Sequence, residues 1–430
     1  MPNVLIAGAG HGGLVAAILL AKQGYTVKLY EKRKREALGY DWHDAVPRRL
    51  FENAGLPEPP EGMFLPADRM AYYSPAKQIK LYPDVEPTFC MIDRKELMAY
   101  LLSLAEESGV QLLFEREILS AVVDGGRVTG LRVRSGDDTQ IVNGDLVVDA
   151  AGMDSPVRRS LPARFGIDRE LRGGDIFYTW RGYFDKTADE FSDPPYIVYF
   201  FHNGVPGMDW MITGEDFMDV LVGGFGGLSK AQVEASLNDF HKEYPYMGDR
   251  LLRGGHFARI PLRGHAPVFV ADGYAAVGDS AFMTEPLSGS GIGLSMSAGK
   301  RLADAVLEAQ GDTSVETLWR YNRDRIRKGA ECGYFDLLLK NFLSALKPAD
   351  VDFFFEKHIM TAKEMGERGG YSLPEILEKA NILKKPGLMP ALSSTAARIA
   401  MLGRVKSALP EEYDRKSVAA WKTLYHKVFR

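Results

Sequence analysis

A run of glycines with one carboxylate near residue 280 has the residue types needed to hold a polyhydroxylated, anionic ligand. It begins Gly278-Asp279-Ser280 and continues through Pro286-Leu287-Ser288-Gly289-Ser290-Gly291-Ile292. The carboxylate of Asp279 can accept hydrogen bonds from ligand hydroxyl groups, and the glycines let backbone N–H groups approach a phosphate or an anionic ring. Apolar residues 274–277 predict a strand before the run, and residues 295–307 predict a helix after it.

A second glycine-rich run lies at the start of the chain. Residues 4–13 read Val-Leu-Ile-Ala-Gly-Ala-Gly-His-Gly-Gly, which predicts a buried strand, a tight turn and the start of a helix. A second strand at residues 25–30 ends in Glu31, where a carboxylate can accept from ribose hydroxyls. The glycines expected to allow the turn, the approach of a pyrophosphate and close packing are Gly8, Gly10, Gly12 and Gly13. Together, the two runs predict FAD as the cofactor.

Composition excludes several other classes of protein. The chain has 430 residues, of which 46% are hydrophobic and 26% charged, as in a globular protein of two or three domains. Its net charge of −4 gives no basic field for nucleic acid. Cys90 and Cys332 are too few for a disulfide framework or an iron–sulfur cluster, and His256 and His265 have no partners at metal-ligand spacing, so no metal is expected. A strand starting at residue 3, without any long apolar run, predicts a cytoplasmic protein.

The order of the predicted elements indicates an α/β protein with interleaved domains. A Rossmann-like FAD-binding domain alternates with segments that are rich in aromatic residues and predict a mainly antiparallel β-sheet, which is expected to form the substrate domain. Helices are expected to follow, with Phe342 and Phe353-Phe354-Phe355 covering the substrate cavity. The predicted boundaries are 1–63, 91–163 and 265–310 for the FAD-binding domain, 64–90 and 164–264 for the substrate domain, and 311–430 for the C-terminal helices.

At this point the chain resembles the FAD-dependent oxidoreductases of the p-hydroxybenzoate hydroxylase fold over residues 1–310. Four features occur in the same order as in that fold: the glycine fingerprint, an arginine that begins the next predicted helix, an Ala-Gly-x-Asp-Ser-x-x-Arg segment that ends at Arg158, and the Gly-Asp segment that begins at Gly278. The resemblance implies that Gly8, Gly10, Gly13 and Glu31 hold ADP, that Arg94 lies near the flavin and pyrophosphate, and that Asp279 binds the ribityl chain. Further cofactor contacts are expected at Gly12, Lys32, Ile118, Asp154, Gly278, Pro286, Gly289, Gly291 and Ile292.

Within this fold, the Gly-Asp segment is most similar to the geranylgeranyl reductase and FixC-type branch. Phe282 stands where aromatic monooxygenases usually have His, and the phrase from Pro286 to Gly299 resembles the reductase branch. The branch implies that reduced flavin adds hydride to a carbon–carbon double bond of a hydrophobic or aromatic small molecule or lipid, with NAD(P)H or a reduced carrier as electron donor. At residues 39–45 the chain departs from archaeal geranylgeranyl reductases, because it has no cysteine there.

Two alternative functions stay open from the sequence. One is a flavin monooxygenase that hydroxylates an aromatic substrate with NAD(P)H and oxygen. The other is an electron-transfer flavoprotein without an organic substrate. Aromatic residues in the predicted substrate domain favour a real cavity for a small hydrophobic substrate, and therefore an enzyme.

Proton chemistry is expected in residues 39–44. His43 lies beside Trp42 and between Asp41 and Asp44, so an imidazole titrating near neutrality could supply the proton that accompanies hydride addition. Tyr73 and its neighbour Tyr72 are rival donors. A structural role for the histidine is the alternative.

The end of the chain is basic and amphipathic. Residues 398–430 hold eight Lys or Arg against three Asp or Glu. Val418, Trp421, Leu424 and Val428 share one helical stripe. The segment predicts either a peripheral contact with anionic lipid or, as the favoured alternative, docking on the protein's own core. The sequence does not predict an oligomeric state.

Overall fold

The computed structural model describes residues 2–82, 89–169, 171–329, 333–361 and 384–429, so Cys332 lies outside the described residues. The strands are β1 Asn3–Ala7, β2 Thr26–Tyr30, β3 His43–Pro47, β4 Phe64–Leu65, β5 Met70–Tyr73, β6 Lys80–Leu81, β7 Phe89–Asp93, β8 Gln111–Leu113, β9 Glu117–Asp124, β10 Arg127–Ser135, β11 Asp138–Asn143, β12 Leu146–Asp149, β13 Ile176–Lys186, β14 Tyr196–Phe200, β15 Met208–Thr213, β16 Phe217–Phe225, β17 Met247–Pro261, β18 Val270–Ala271 and β19 Tyr274–Ala276. The α-helices are α1 His11–Lys22, α2 Leu50–Ala54, α3 Arg94–Glu107, α4 Pro156–Ser160, α5 Lys230–Glu243, α6 Ile292–Glu308, α7 Val315–Gly329, α8 Gly333–Leu343, α9 Pro348–Glu356, α10 Met389–Ala400, α11 Leu402–Ser407 and α12 Arg415–Phe429. Within those ranges, no helix has the length and apolar character to cross a membrane.

A six-stranded sheet forms the nucleotide-binding part of the fold. Its order is β18-β19-β12-β1-β2-β8, and the strands from β19 to β8 run parallel. Val4 to Ala7 of β1 are fully or almost fully buried, because this strand is central in the sheet and α1 and α6 lie close by. The predicted Rossmann-like domain is confirmed.

A seven-stranded sheet brings the two predicted substrate segments together. Its order is β17-β13-β16-β15-β14-β5-β6, so strands from residues 64–90 and from residues 164–264 share one sheet. The two segments meet where β5 pairs with β14 in parallel, and the other pairings are antiparallel. The mainly antiparallel substrate sheet is confirmed, while the numerical domain boundaries stay predictions.

The two faces of this sheet differ in chemistry because side chains alternate along each strand. One face is apolar: Trp180, Met211 and Val220 pack with Phe240 of α5. The opposite face carries Arg181, Tyr183, Trp210 and Asp219, and it approaches β3. The polar face is therefore the one directed towards the nucleotide-binding part.

Helix α12 docks on the core through its apolar stripe. Val418, Trp421 and Val428 are buried. Trp421 Nε1 donates to the Val405 carbonyl at 2.9 Å, and the Tyr425 hydroxyl donates to the His265 carbonyl at 2.8 Å. The favoured prediction of docking is confirmed, and the stripe is not available for insertion into lipid.

Helices α1 and α6 cross at glycines. A Cβ atom on Gly299 would overlap the carbonyl oxygen of Gly12, and a Cβ atom on Gly12 would overlap the carbonyl oxygen of Ser295. Backbone atoms fill the space on both sides, so neither helix can yield by turning a side chain away. The close crossing fixes the position of one helix against the other.

We expect Gly299→Ala to lower the free energy of unfolding by about 1–3 kcal/mol, because the new methyl group has to push α1 and α6 apart. Urea unfolding of the purified protein measures this change. Gly403→Ala in α11 is the matched control, since its Cβ atom would meet no atom within 4 Å. Equal stability of the Gly299→Ala variant and the wild-type protein would contradict the tight crossing.

Candidate functional site

The first glycine turn is built against the end of β12. Gly8 has a φ of +90°, and a Cβ atom there would lie 2.8 Å from the Ala150 carbonyl oxygen. Helix α1 follows with Gly10 as its N-cap, and no side chain caps it. Its first N–H groups are therefore available to an anionic ligand such as a pyrophosphate. Gly13 also acts as predicted, because it packs closely on Ala150 and Ile6.

Glu31 closes this turn from the end of β2. The side chain is 5% exposed, its Oε2 accepts from the Ala9 N–H at 3.0 Å, and its Oε1 accepts from the Arg33 N–H at 2.9 Å. Oε1 also accepts from Arg33 Nε at 3.1 Å, so Oε2 is the oxygen that keeps a second lone pair for a ligand hydroxyl. The geometry fits the role expected for an acid that holds a ribose.

A cavity of about 420 Å³ opens next to Glu31. Ile118 lies in β9 beside it and is 7% exposed. The cavity is bounded by Lys32, Arg33, Glu115, Glu117, Arg134 and Gly136. Its position suits the adenosine end of the cofactor, so Lys32 and Ile118 are retained as proposed contacts.

Asp279 lies in the short helical turn Gly278–Ala281, which packs against α6. Thr284 donates its hydroxyl to Asp279 Oδ1 at 3.0 Å, and a Cβ atom on Gly291, the N-cap of α6, would be 3.8 Å from the same oxygen. Burial raises the pKa of Asp279, while Thr284, Arg94 and Arg158 act in the opposite direction. As at α1, no side chain caps α6. A carboxylate and a free helix N-terminus therefore converge on one place.

His11, which the sequence analysis did not assign, is buried at the start of α1. It is 8% exposed, and its Nε2 has no hydrogen-bond partner among the described residues. Burial, and then the charge of Arg94, lowers the pKa of His11 to about 3, so its ring is neutral. An unpaired buried nitrogen between Arg94 and α1 is a place for a ligand atom. A histidine inside the glycine fingerprint was the available signal.

These features fit FAD. The acid after β2 suits the ribose, and the glycine turn with the two uncapped helix N-termini suits the phosphates. Asp279 suits the ribityl chain, and the unpaired His11 nitrogen suits the ring. Gly278 adopts a φ of +65°, and Ile292 is 7% exposed at the start of α6. Pro286, Gly289 and Gly291 lie between these two residues in sequence, in the segment that leads into α6.

Two of the proposed cofactor residues are already engaged. Asp154 forms ion pairs with Arg159 and Arg259, and its side chain is 39% exposed. Gly12 makes room for α6. Both residues shape the site, and a direct ligand contact of the Asp154 carboxylate would require these ion pairs to rearrange.

His43 begins β3 instead of lying in a loop. Its N–H donates to the Tyr183 hydroxyl at 2.9 Å, and its carbonyl accepts from Arg181 Nη1 at 2.6 Å. Its Nε2 is 3.9 Å from Asp93 Oδ2. Burial, followed by the charge of Arg253, lowers the pKa of His43 despite Asp93. A smaller fraction of its ring is therefore protonated at pH 7 than in an exposed histidine, and a role for His43 as the proton donor stays a prediction.

The carboxylates beside His43 have different partners. Asp41 pairs with Lys95 at 3.3 Å and with Arg253 at 3.2 Å, which makes it a structural ion-pair partner. Asp44 accepts from Arg94 at 3.1 Å and lies 3.8 Å from Arg181. Asp44 thus connects the arginine of the cofactor site with the substrate sheet.

Tyr73 and Tyr72 point to opposite faces of the substrate sheet. The Tyr73 ring stacks on Tyr199 at 5.1 Å and packs in the cluster beneath α5. This placement is contrary to a catalytic role for Tyr73, because its side chain lies on the face away from the cofactor site. Tyr72 stacks on Phe200 at 5.9 Å on the other face, and burial raises the pKa of Tyr72 to about 12.

An apolar cluster joins this face to the Gly-Asp segment. It includes Tyr72, Phe200, Leu287, Phe335, Leu339 and Phe342. Phe354 and Phe355, which the sequence analysis expects to cover the substrate cavity, pack in the same cluster. Leu287 belongs to the turn that precedes α6, so apolar surface lies directly beside the proposed flavin site.

Comparison with known proteins supports FAD as the cofactor. A family described as "FAD binding domain" matches residues 1–189. The chain is 26% identical to the digeranylgeranylglycerophospholipid reductase of Sulfolobus acidocaldarius, over 98% of this chain and 95% of that protein.

Solved structures share the fold. A geranylgeranyl bacteriochlorophyll reductase-like protein of Thermoplasma acidophilum aligns with a TM-score of 0.72 and 18% identity, over 90% of this chain and 99% of that one. A myxobacterial chondrochloren halogenase, which is FAD-dependent, aligns with a TM-score of 0.60 and 17% identity, over 89% and 96% of the two chains. The fold therefore serves more than one flavin reaction.

We expect Asp279→Ala to weaken FAD binding by roughly ten- to a hundredfold, because a ligand hydroxyl would lose a charged acceptor contributing about 1.5–3 kcal/mol. Titration of the apoprotein with FAD, followed by flavin fluorescence, gives the dissociation constant. Asp304→Ala, which removes a surface carboxylate paired with Lys300 of α6, is the control and should bind FAD normally. An unchanged dissociation constant for Asp279→Ala would show that the ribityl chain binds elsewhere.

Proposed function

We propose that the chain, which is an FAD-dependent oxidoreductase of the geranylgeranyl reductase-like branch of the p-hydroxybenzoate hydroxylase fold, saturates carbon–carbon double bonds of an isoprenoid lipid. The observation that carries the proposal is the apolar cluster around Leu287. It places packed apolar side chains, against which we propose that the hydrocarbon binds, beside the turn that leads into α6. An alkenyl chain is recognised by such surface alone, since it has no polar group to pair.

The described residues explain how such a site would work. FAD, once bound and reduced, supplies hydride. Arg94, His11 and the N-terminus of α6 surround the place where we expect the flavin, and they favour negative charge there. Tyr72, Phe200 and the α8 side chains exclude water from the alkene. Exclusion of water matters because it keeps the reduced cofactor from competing reactions.

A buried ion pair lies on the face of the substrate sheet that is directed towards the proposed site. Arg181 donates from Nε to Asp219 Oδ1 at 2.8 Å, and a second hydrogen bond makes the pair bidentate. Both side chains are almost fully buried. Trp210 lies by Arg181, and its Nε1 has no hydrogen-bond partner among the described residues. We propose that this indole N–H meets a polar atom of the substrate.

The electron donor and the approach of the lipid are finer points of the proposal. We propose NAD(P)H or a reduced carrier as the donor, because the reaction consumes two electrons per double bond. Since the apolar stripe of α12 is buried, peripheral contact with an anionic membrane would depend on basic residues such as Lys416 and Lys427.

The proposed reduction does not need oxygen, and this separates it from the monooxygenase alternative. We expect the chemically reduced holoprotein, mixed anaerobically with digeranylgeranylglycerophospholipid, to return to oxidised flavin while the lipid gains two hydrogens per turnover. Flavin absorbance and mass spectrometry of the lipid measure the two events. A product that carries a new hydroxyl group and forms only in air would establish the monooxygenase instead.

We expect His43→Phe to slow this reoxidation by less than about tenfold, because burial lowers the pKa of His43 and so reduces the fraction of imidazolium available as an acid. Removal of a working general acid costs about a hundredfold or more. The reduction half-reaction should be unaffected. Stopped-flow absorbance follows each half-reaction separately. Selective slowing of reoxidation by a hundredfold would restore His43 as the acid.

A further inference from the structure

A second cavity lies among the C-terminal helices and shares no lining residue with the proposed cofactor site. Its volume is about 260 Å³, far more than a single water molecule needs. The charged and amide side chains that line it are Arg172 and Asp175 from the segment before β13, Arg263 from the chain after β17, Asn341 of α8 and Arg398 of α10. The sequence analysis assigned none of them a role. We call this space the arginine cavity.

The lining of the arginine cavity is cationic. Three guanidinium groups and one carboxylate line it, which gives a formal charge of +2. The carboxylate has other partners, because Asp175 Oδ2 accepts from the Arg172 N–H at 2.8 Å. Burial lowers the pKa of the nearby Lys340, and the charge of Asp175 opposes this, so Asp175 interacts with Lys340 as well. The lining therefore favours an anionic ligand.

Arg263 is held in position before any ligand arrives. It is 6% exposed, and its guanidinium packs over the Phe282 ring at 4.5 Å. Its Nη2 donates to Asp168 Oδ2 at 3.2 Å. Asp168 is shared, because Lys422 Nζ is 2.6 Å and His426 Nε2 is 3.6 Å from its Oδ1. A guanidinium fixed by a ring and a carboxylate loses little freedom when a ligand binds.

Arg398 and Asn341 bring hydrogen-bonding groups that the protein itself does not use. Both side chains are partly buried, and neither has a hydrogen-bond or ion-pair partner among the described residues. A charge that is partly removed from water without a counter-ion is unfavourable, so an anion in the cavity would stabilise Arg398. The carboxamide of Asn341 adds two further N–H donors.

Apolar side chains complete the wall. Leu337 and Phe429 line the cavity, so a ligand with carbon atoms next to its anionic group can contact both kinds of surface. Leu337 and Asn341 lie four residues apart and share one face of α8, whereas Leu339 and Phe342 on roughly the opposite face belong to the apolar cluster proposed for the alkenyl chain. The arginine cavity and that cluster therefore lie on two sides of one helix.

We propose that the arginine cavity binds a phosphate group. A phosphate dianion matches the formal charge of the lining, and it has enough oxygen atoms to accept from several guanidinium groups at once, whereas a carboxylate has one charge and two oxygen atoms. Two sources share this chemistry. One is the phosphate of a glycerophospholipid whose alkenyl chains contact the apolar cluster, which rests on the proposed function. The other is inorganic phosphate or a phosphate monoester in solution.

Calorimetric titration of the FAD-loaded holoprotein with inorganic phosphate tests the cavity without any lipid. The bound cofactor occupies the N-termini of α1 and α6, so these do not take up the added phosphate. We expect saturable binding that Arg398→Gln weakens by about tenfold or more, because the phosphate loses a charged donor. The variant should keep its flavin absorbance and its urea midpoint, since Arg398 has no partner to lose among the described residues.

Arg404→Gln is the matched control. It makes the same change of charge at an exposed arginine of α11 that does not line the cavity, and it should bind phosphate as the wild-type protein does. No saturable binding to the wild-type holoprotein, or equal affinity of Arg398→Gln and the wild-type protein, would overturn the proposal.

Lipid kinetics distinguish the two sources of phosphate. If the phosphate belongs to the lipid, inorganic phosphate competes with digeranylgeranylglycerophospholipid in the anaerobic reoxidation. Arg398→Gln then raises KM for this lipid by about tenfold, but not for the same alkenyl lipid without its phosphate. A soluble source leaves both KM values unchanged while phosphate still binds. If the holoprotein binds phosphate but reduces neither lipid, the proposed lipid reaction fails and the phosphate site stands.

Discussion

The crossing of α1 and α6 is the constraint on which the proposed cofactor site depends. Each helix begins at a glycine N-cap without a side-chain cap, and the two helices approach each other through Gly12 and Gly299. Two N-termini, each with a partial positive charge, are thereby held in one region. Their mutual repulsion is unfavourable unless an anionic ligand lies between them, so the packing of the apoprotein already favours a cofactor with a pyrophosphate and an electron-rich ring.

A second constraint connects this site with the substrate sheet. Asp44 lies between Arg94 and Arg181, and Arg181 is in turn held by Asp219. The desolvation of a buried ion pair offsets much of its attraction, so such pairs contribute more to geometry than to stability. Removal of one member would leave a buried charge without its partner. The chain of alternating charges therefore fixes the angle at which the sheet approaches the cofactor.

The nucleotide-binding half could be predicted from sequence because its signals are local. The glycines, the acid after β2 and the Gly-Asp turn each lie within a few residues of the strand or helix that they serve. The predicted helix at 295–307 is observed as Ile292–Glu308. The fold class and the reductase branch followed from these motifs.

The proposed proton chemistry could not be predicted in the same way, because it depends on contacts between distant residues. Burial, followed by the charge of Arg253, lowers the pKa of His43, and Arg253 is more than two hundred residues away in sequence. Tyr73 faces the wrong side of its sheet because of the register of β5 on β14, which no local pattern reveals.

The parallel pairing of β12 with β19 has a consequence for biosynthesis. The nucleotide sheet contains β1 from the first residues and β19 from residues 274–276, so it cannot be completed until nearly two thirds of the chain has left the ribosome. At ordinary elongation rates of about 5–20 residues per second, β12, which ends at residue 149, waits roughly 6–25 s for this neighbour. During that interval an apolar strand from the interior of the sheet has an unpaired side. Nascent chains of this architecture therefore depend on protection of β12 until β19 has been made.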